Sequence, residues 1–320
     1  MQMQRRGSLR RRRSIQCPRA CLIAVILFGD LASAQQAGHY LGGLTGLENG
    51  TAPPPGAFAT YLPYIDHVDS LKGPGGRTVL PLNLNVTAHM AAFAQTVAGK
   101  ILGGRYGWTF IAPVVNTRFT ANEFNASAQE AGLSDIYFSP LVLGWEKGRA
   151  DFTANYGFYA PTGSFDASSA MNTGLGFWEH QIQAGTTYSL DKKKLWNTSL
   201  LTTWEINGSK FGLDLKPGPM FTGEYSLGRR FFKYLMNAGA AGYTYKKLAA
   251  DSGSDVKPIT VDVLDQQFGA GPEWKYTNLK WHMGFDFRFE QQFGVEGKTS
   301  GKVFVFSITY LRLKMPSPQK

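Results

Sequence analysis

Five histidines are the first place to look for chemistry in this 320-residue chain. A hydrolase needs a serine or cysteine nucleophile, a histidine base and an acidic or amide orienter brought together. No G-x-S-x-G or H-E-x-x-H pattern supplies that set. His39 and His67 fall outside the strand-like runs, His89 lies in the second of them, and the positions of His180 and His282 are compatible with an enclosed interior. His282 and Asp286 share a strand face, yet four residues at 3.3 Å each put them about 13 Å apart, too far for a direct bond. No run carries two same-face histidines within reach, so the sequence points to no catalytic, cofactor-binding or metal residues and implies no cofactor.

The charged residues with the most regular spacing are Lys280, His282, Asp286, Arg288 and Glu290, which alternate with Trp281, Met283, Phe285, Phe287 and Phe289. Period two is the signature of a strand whose faces meet different surroundings. The stretch 280–290, eleven residues with Gly284 included, exceeds the usual soluble strand of about five or six and matches the roughly 9 to 11 of a tilted membrane crossing. The five polar side chains are therefore candidates to face a lumen, where they pair across strands or tune which solutes pass.

The surrounding chain supports that reading. A basic start, an apolar block over 21–28 and the small-residue end Ala32-Ser33-Ala34 form a secretory signal over 1–34, with cleavage after Ala34. Cys17 and Cys21 both leave with it, so the mature chain folds without disulfides. The signal also removes seven arginines and one aspartate, leaving 26 basic against 22 acidic residues and a net charge of +4 in place of +10. The basic balance is thus a property of the signal, and no nucleic-acid partner follows from it.

After a Gly- and Pro-rich segment at 35–56, twelve strand-like runs follow, at 57–65, 78–96, 104–116, 133–145, 149–160, 175–189, 195–207, 215–227, 231–246, 261–276, 279–293 and 302–314. Short connections alternate with long ones, the long ones at 66–77, 117–132, 161–174, 208–214, 247–260 and 294–301. Alternation gives the molecule two unlike ends, as short periplasmic turns and long external loops do. The expected fold is all-β: a transmembrane antiparallel up-and-down barrel of about twelve strands over 57–314, with a C-terminal tail at 315–320. The 35–56 segment is either a lumen plug or a periplasmic arm; Tyr40, Leu41, Leu44 and Leu47 favour the inside. Aromatics near strand ends, among them Tyr61, Tyr64, Trp108, Trp145, Trp178, Trp196, Trp274 and Tyr310, fit two interfacial girdles.

Several segments carry a family resemblance across nearly the whole mature chain: G-H-Y-L-G-G-L-T-G, P-P-P-G-A-F-A-T-Y-L-P-Y, Ser134-Asp135 leading into S-P-L-V-L-G-W, Tyr159 to Asp166, and N-T-G-L-G-F-W at 172–178. In these pieces, their order and their spacing, the sequence resembles the outer-membrane barrel family of the meta-pathway of phenol degradation, the SphA-type transporters. The resemblance implies a channel in the Gram-negative outer membrane, reached by Sec-type export and the barrel-insertion machinery, with membrane lipid and a small hydrophobic or aromatic solute as partners. A structural or adhesive barrel and a barrel hydrolase are the alternatives that the residues leave open.

Overall fold

The structure, a computed structural model, describes residues 37–121, 126–169, 171–256 and 264–313. The signal segment with Ala34 and the 315–320 tail lie outside the described residues. The chain forms β1 (Gly56–Lys72), β2 (Thr78–Ile101), β3 (Gly104–Ala121), β4 (Ala126–Leu133), β5 (Ile136–Lys147), β6 (Ala150–Ala160), β7 (Glu179–Ser189), β8 (Trp196–Asn207), β9 (Met220–Phe231), β10 (Met236–Lys247), β11 (Gln266–Asn278), β12 (Met283–Glu296) and β13 (Thr299–Leu313). Neighbours in sequence pair antiparallel, and β13 pairs back onto β1, with Gly56 opposite Leu313. The lower part of β3 pairs with β5 and its upper part with β4, so β4 and β5 are one stave interrupted at Ser134-Asp135. The result is a closed barrel of twelve staves. Closure matters because a backbone group facing hydrocarbon has no water to turn to.

The faces are inverted relative to a soluble protein. Phe152, Ile182, Leu200, Trp204, Leu227, Phe287 and Phe306 are exposed on the outside, while Gln181, Glu205, Glu224, Arg288 and Glu290 are buried within. No helix among the described residues is long and apolar enough to cross a membrane; the strands do the crossing.

Three of the expected long connections are mostly strand. Residues 66–72 pair with β2 and β13, 117–121 pair with 126–130, and β12 and β13 are joined by Gly297 and Lys298 alone. Their polar composition reads as loop, but beyond the lipid a hairpin can be polar on both faces and still satisfy its backbone across the ladder. Among the described residues, the irregular stretches of the long connections are 161–169 with 171–178, 208–219, and 248–256 with 264–265.

Two further expectations change. Tyr64, a girdle candidate, points inward, and its hydroxyl donates to the Gly42 carbonyl at 2.8 Å. Lys280 and His282 are not on a strand: 279–282 is a turn, in which Asn278 Oδ1 accepts the Trp281 N–H at 3.0 Å and His282 has φ 55°. Both are exposed at that turn rather than lumenal. The alternation of Trp281 with its neighbours mimicked a strand that only begins at Met283.

Phe287 lies within the apolar belt, while Phe285 is two residues from the turn-side end of β12. Phe287→Arg is expected to cost about 2 to 4 kcal/mol of stability in lipid and Phe285→Arg only about 0 to 1. Urea titrations in vesicles measure the gradient; equal costs would contradict the depths assigned.

Candidate functional site

The polar interior is organised around residues 38–52. Four backbone N–H groups of this segment anchor it, and each finds a glutamate on a different stave. His39 N donates to Glu179 Oε2 at 2.9 Å, Tyr40 N to Glu205 Oε1 at 3.0 Å, Thr45 N to Glu224 Oε1 at 3.2 Å and Leu47 N to Glu273 Oε2 at 2.7 Å. Wall cations meet the intervening carbonyls. Arg288 Nη2 donates to Leu44 O at 2.9 Å, and Lys275 Nζ to Leu47 O at 2.5 Å. A segment without helix or sheet thus has four amides and two carbonyls met by side chains of β7, β8, β9, β11 and β12, while the Leu44, Asn49 and Thr51 amides bond to carbonyls within the segment itself.

The glycines of the segment follow from this closeness. A Cβ at Gly38 would collide with Glu205, one at Gly43 with Glu290, and one at Gly46 with both Glu273 and Arg288. The segment can therefore approach the charged wall only as bare backbone.

The lower part of the segment is held by side chains. Glu48 Oε1 accepts from Arg230 Nε at 2.5 Å, Thr51 Oγ1 donates to Asp151 Oδ2 at 2.9 Å, and Arg105 Nη2 reaches the Ala52 carbonyl at 3.3 Å. On the opposite side Leu41 and Leu44 pack against an apolar cluster of Tyr64, Ala88, Met90, Val303 and Val305 from β1, β2 and β13. The lumen is thus two-sided, hydrocarbon along β13, β1 and β2 and carboxylates along β7 to β12.

The upper anchor is His39. Its Nδ1 and Nε2 lie 2.8 Å from Glu179 Oε2 and 2.8 Å from Asp135 Oδ2, and its ring stacks on Tyr159 at 4.6 Å with Phe177 edge-on at 5.0 Å. Asp135, in the break between β4 and β5, also accepts the Gly163 N–H at 2.9 Å and the Leu175 N–H at 2.7 Å. Thr162 Oγ1 donates to Ser134 O and Thr173 Oγ1 to Leu133 O. Four of the pieces that carry the family resemblance, the one around His39, Ser134-Asp135, Tyr159 to Asp166 and 172–178, converge on this one point. Above it Lys210 Nζ stands 5.2 Å from the Phe165 ring and 5.8 Å from that of Phe177.

Of the lumen candidates, Asp286, Arg288 and Glu290 are brought into this wall. Arg288 Nη1 lies 3.3 Å from Glu273 and its Nε 3.8 Å from Glu290, while Lys275 Nζ lies 3.2 Å from Glu273 and 3.6 Å from Asp286. Lys280 and His282 have no part in it. His180 and His89 face outward, bonded to Tyr156 and Tyr61 hydroxyls at 2.9 and 2.8 Å. Sequence reading did not pick out His39, Asp135, Glu179, Glu205, Glu224, Glu273 or Lys275. A signal existed for Glu205, since the Trp196 to Ile206 aromatic and aliphatic face leaves it on the opposite side. His39 belongs to no periodic element, and its one signal was its place in the G-H-Y-L-G-G-L-T-G piece of the family resemblance.

A closed barrel with lipid-compatible outer walls, buried charges within and two unlike ends is an outer-membrane β-barrel. The chain belongs to the family described as "Putative MetA-pathway of phenol degradation", which matches residues 69–308. Its fold is similar to that of the COG4313 outer membrane channel from Pseudomonas putida F1, with a TM-score of 0.72 and 11% identity over 82% of this chain and 98% of that one. It is also similar to the beta domain of the Bordetella autotransporter BrkA, with a TM-score of 0.50 and 10% identity over 80% of this chain and 99% of that one. The first of these is a channel rather than an enzyme. Comparison with curated proteins found no match.

Two outcomes follow from the anchors. Burial alone favours the neutral His39 ring, but Glu179 and Asp135 outweigh it and hold the imidazolium up to about 9, from 6.5. A raised value means that the clasp contributes fully below pH 6.5 and is lost as pH rises through about 9. Unfolding midpoints of the wild type and His39→Gln in vesicles should therefore differ most at pH 6 and converge by about pH 10; a constant difference would contradict the charged clasp. Gly46→Val should expel the segment, seen as protease cleavage within 38–52 in a barrel whose wild-type form resists it.

Proposed function

We propose that this chain is an outer-membrane channel for small apolar or aromatic compounds, and that residues 35–56 act as its internal plug. The observation that carries this reading is the two-sided lumen. A solute with a ring and one polar group can slide its ring along Tyr64, Met90, Val303 and Val305 while its hydroxyl meets the carboxylate wall. An aqueous solute gains nothing from the first wall, and a pure hydrocarbon gains nothing from the second. The family description, with its phenol-degradation pathway, agrees with a phenol-like solute.

Twelve staves enclose a narrow interior, which the segment and the wall side chains largely fill. Passage then requires the segment to shift. Its contacts are suited to that, because they are many separate hydrogen bonds to polar side chains rather than a ladder or a packed helix. Signal cleavage after Ala34 and delivery by the barrel-insertion machinery complete the proposed route to the membrane.

Planar-bilayer recordings of the full chain should give low conductance that rises on deletion of residues 37–52. Proteoliposomes holding the full chain should take up phenol faster than empty ones. Unchanged conductance after deletion would remove the plug role, and uptake equal to that of empty liposomes would remove the channel assignment.

A further inference from the structure

The turn-side rim of β6 to β10 carries a feature that transport does not use. The β7–β8 turn contains Lys192, Lys193 and Lys194, all exposed, and the adjacent β9–β10 turn contains exposed Phe232, Lys233 and Tyr234. Phe232, Lys233 and Tyr234 have φ of 47°, 53° and 72°, three successive non-glycine residues in the left-handed region. Such a run is costly and persists only where neighbours over-determine it.

Here the two turns are stapled together. Tyr234 Oη donates to Lys193 O at 2.8 Å and Arg230 Nη1 donates to Lys194 O at 2.8 Å; within the β7–β8 turn itself Asp191 Oδ1 accepts the Trp196 N–H at 2.7 Å. The staples use backbone carbonyls and leave the lysine ammoniums and the Phe232 ring free to the surroundings; Phe232 is 72% exposed.

Beside these turns, on the outer face, Arg229 lies 5.5 Å from the Trp196 ring and 5.1 Å from that of Phe231. Arg149 lies 5.0 Å from the Tyr188 ring. Arg230 is neutralised by Glu48, but Lys192, Lys193, Lys194, Arg229 and Lys233 make no ion pair among the described residues. The partner of this sector must be anionic where it meets the cations and apolar where it meets Trp196, Phe231 and Phe232. It must also be reachable from the lipid-facing surface at the end marked periplasmic by its short turns. We propose that this rim is a docking site for acidic phospholipids of the inner leaflet, with the phosphate held by Arg229 and the lysine turn and the glycerol and first methylenes laid against the rings.

The test uses the full chain in vesicles of phosphatidylcholine with increasing phosphatidylglycerol of the same acyl chains. The unfolding midpoint of the wild type should rise with phosphatidylglycerol, and added salt should shrink the rise. The combined variant Lys192→Gln, Lys193→Gln, Lys194→Gln and Arg229→Gln should lose the rise while matching the wild type in pure phosphatidylcholine. Arg229→Gln alone should reduce it, and Lys216→Gln at the opposite end should keep it whole. Native mass spectrometry should show a phosphatidylglycerol adduct on the wild type that the combined variant lacks. A midpoint indifferent to phosphatidylglycerol overturns the proposal. So does an equal rise with soluble glycerol phosphate, which would make the site one for free phosphate, or cosedimentation with purified peptidoglycan that the variant abolishes, which would make the partner the cell wall.

Discussion

The whole interior depends on one constraint: a stretch of backbone without secondary structure lies in a space where water is scarce, and its N–H groups must be met. Glutamates 179, 205, 224 and 273 meet them from four staves. The same glutamates would be untenable if the segment were absent and the lumen dry, since an unpaired buried carboxylate is among the costliest features a protein can hold. Segment and wall therefore require one another. The cations Arg288 and Lys275 extend this mutual dependence, each touching both a wall carboxylate and a carbonyl of the segment.

That constraint accounts for features that otherwise look unrelated. Glycines stand at 38, 43 and 46 because a carboxylate or guanidinium occupies the space where a Cβ would go. Leu41 and Leu44 face away from the charges because β13, β1 and β2 offer hydrocarbon there. Asp135 can reach His39 and at the same time gather the Gly163 and Leu175 amides because the stave is interrupted at its position, so its own backbone is freed from the ladder. The break, the 161–178 connection and the N-terminal segment are in this sense one polar assembly.

The outside obeys a different rule. Lipid asks only for apolar side chains over a fixed height and for amphipathic ones at its borders, and the outer faces of β8 and β12 supply the first while Trp196 and Arg229 supply the second. Inner and outer faces of each strand were thus shaped by different surroundings, which explains why a single strand can carry Phe287 and Arg288 side by side.

The barrel itself was legible in the sequence because lipid and lumen impose period two, and that pattern is local to each strand. Twelve runs, their antiparallel order and the polar face of Asp286, Arg288 and Glu290 could be read without coordinates. Loop lengths were misread at 66–77, 117–132 and 294–301, since polar hairpin strands beyond the membrane look like loops until their partners are known. Lys280 and His282 were misplaced because alternation cannot tell the last residues of a turn from the first of a strand. What the tertiary structure alone decided is the interior: which glutamate meets which amide, and that His39 sits between Asp135 and Glu179, 96 and 140 residues away in the chain. Those contacts have no period, because closing the barrel, not any repeat in the chain, brings them together.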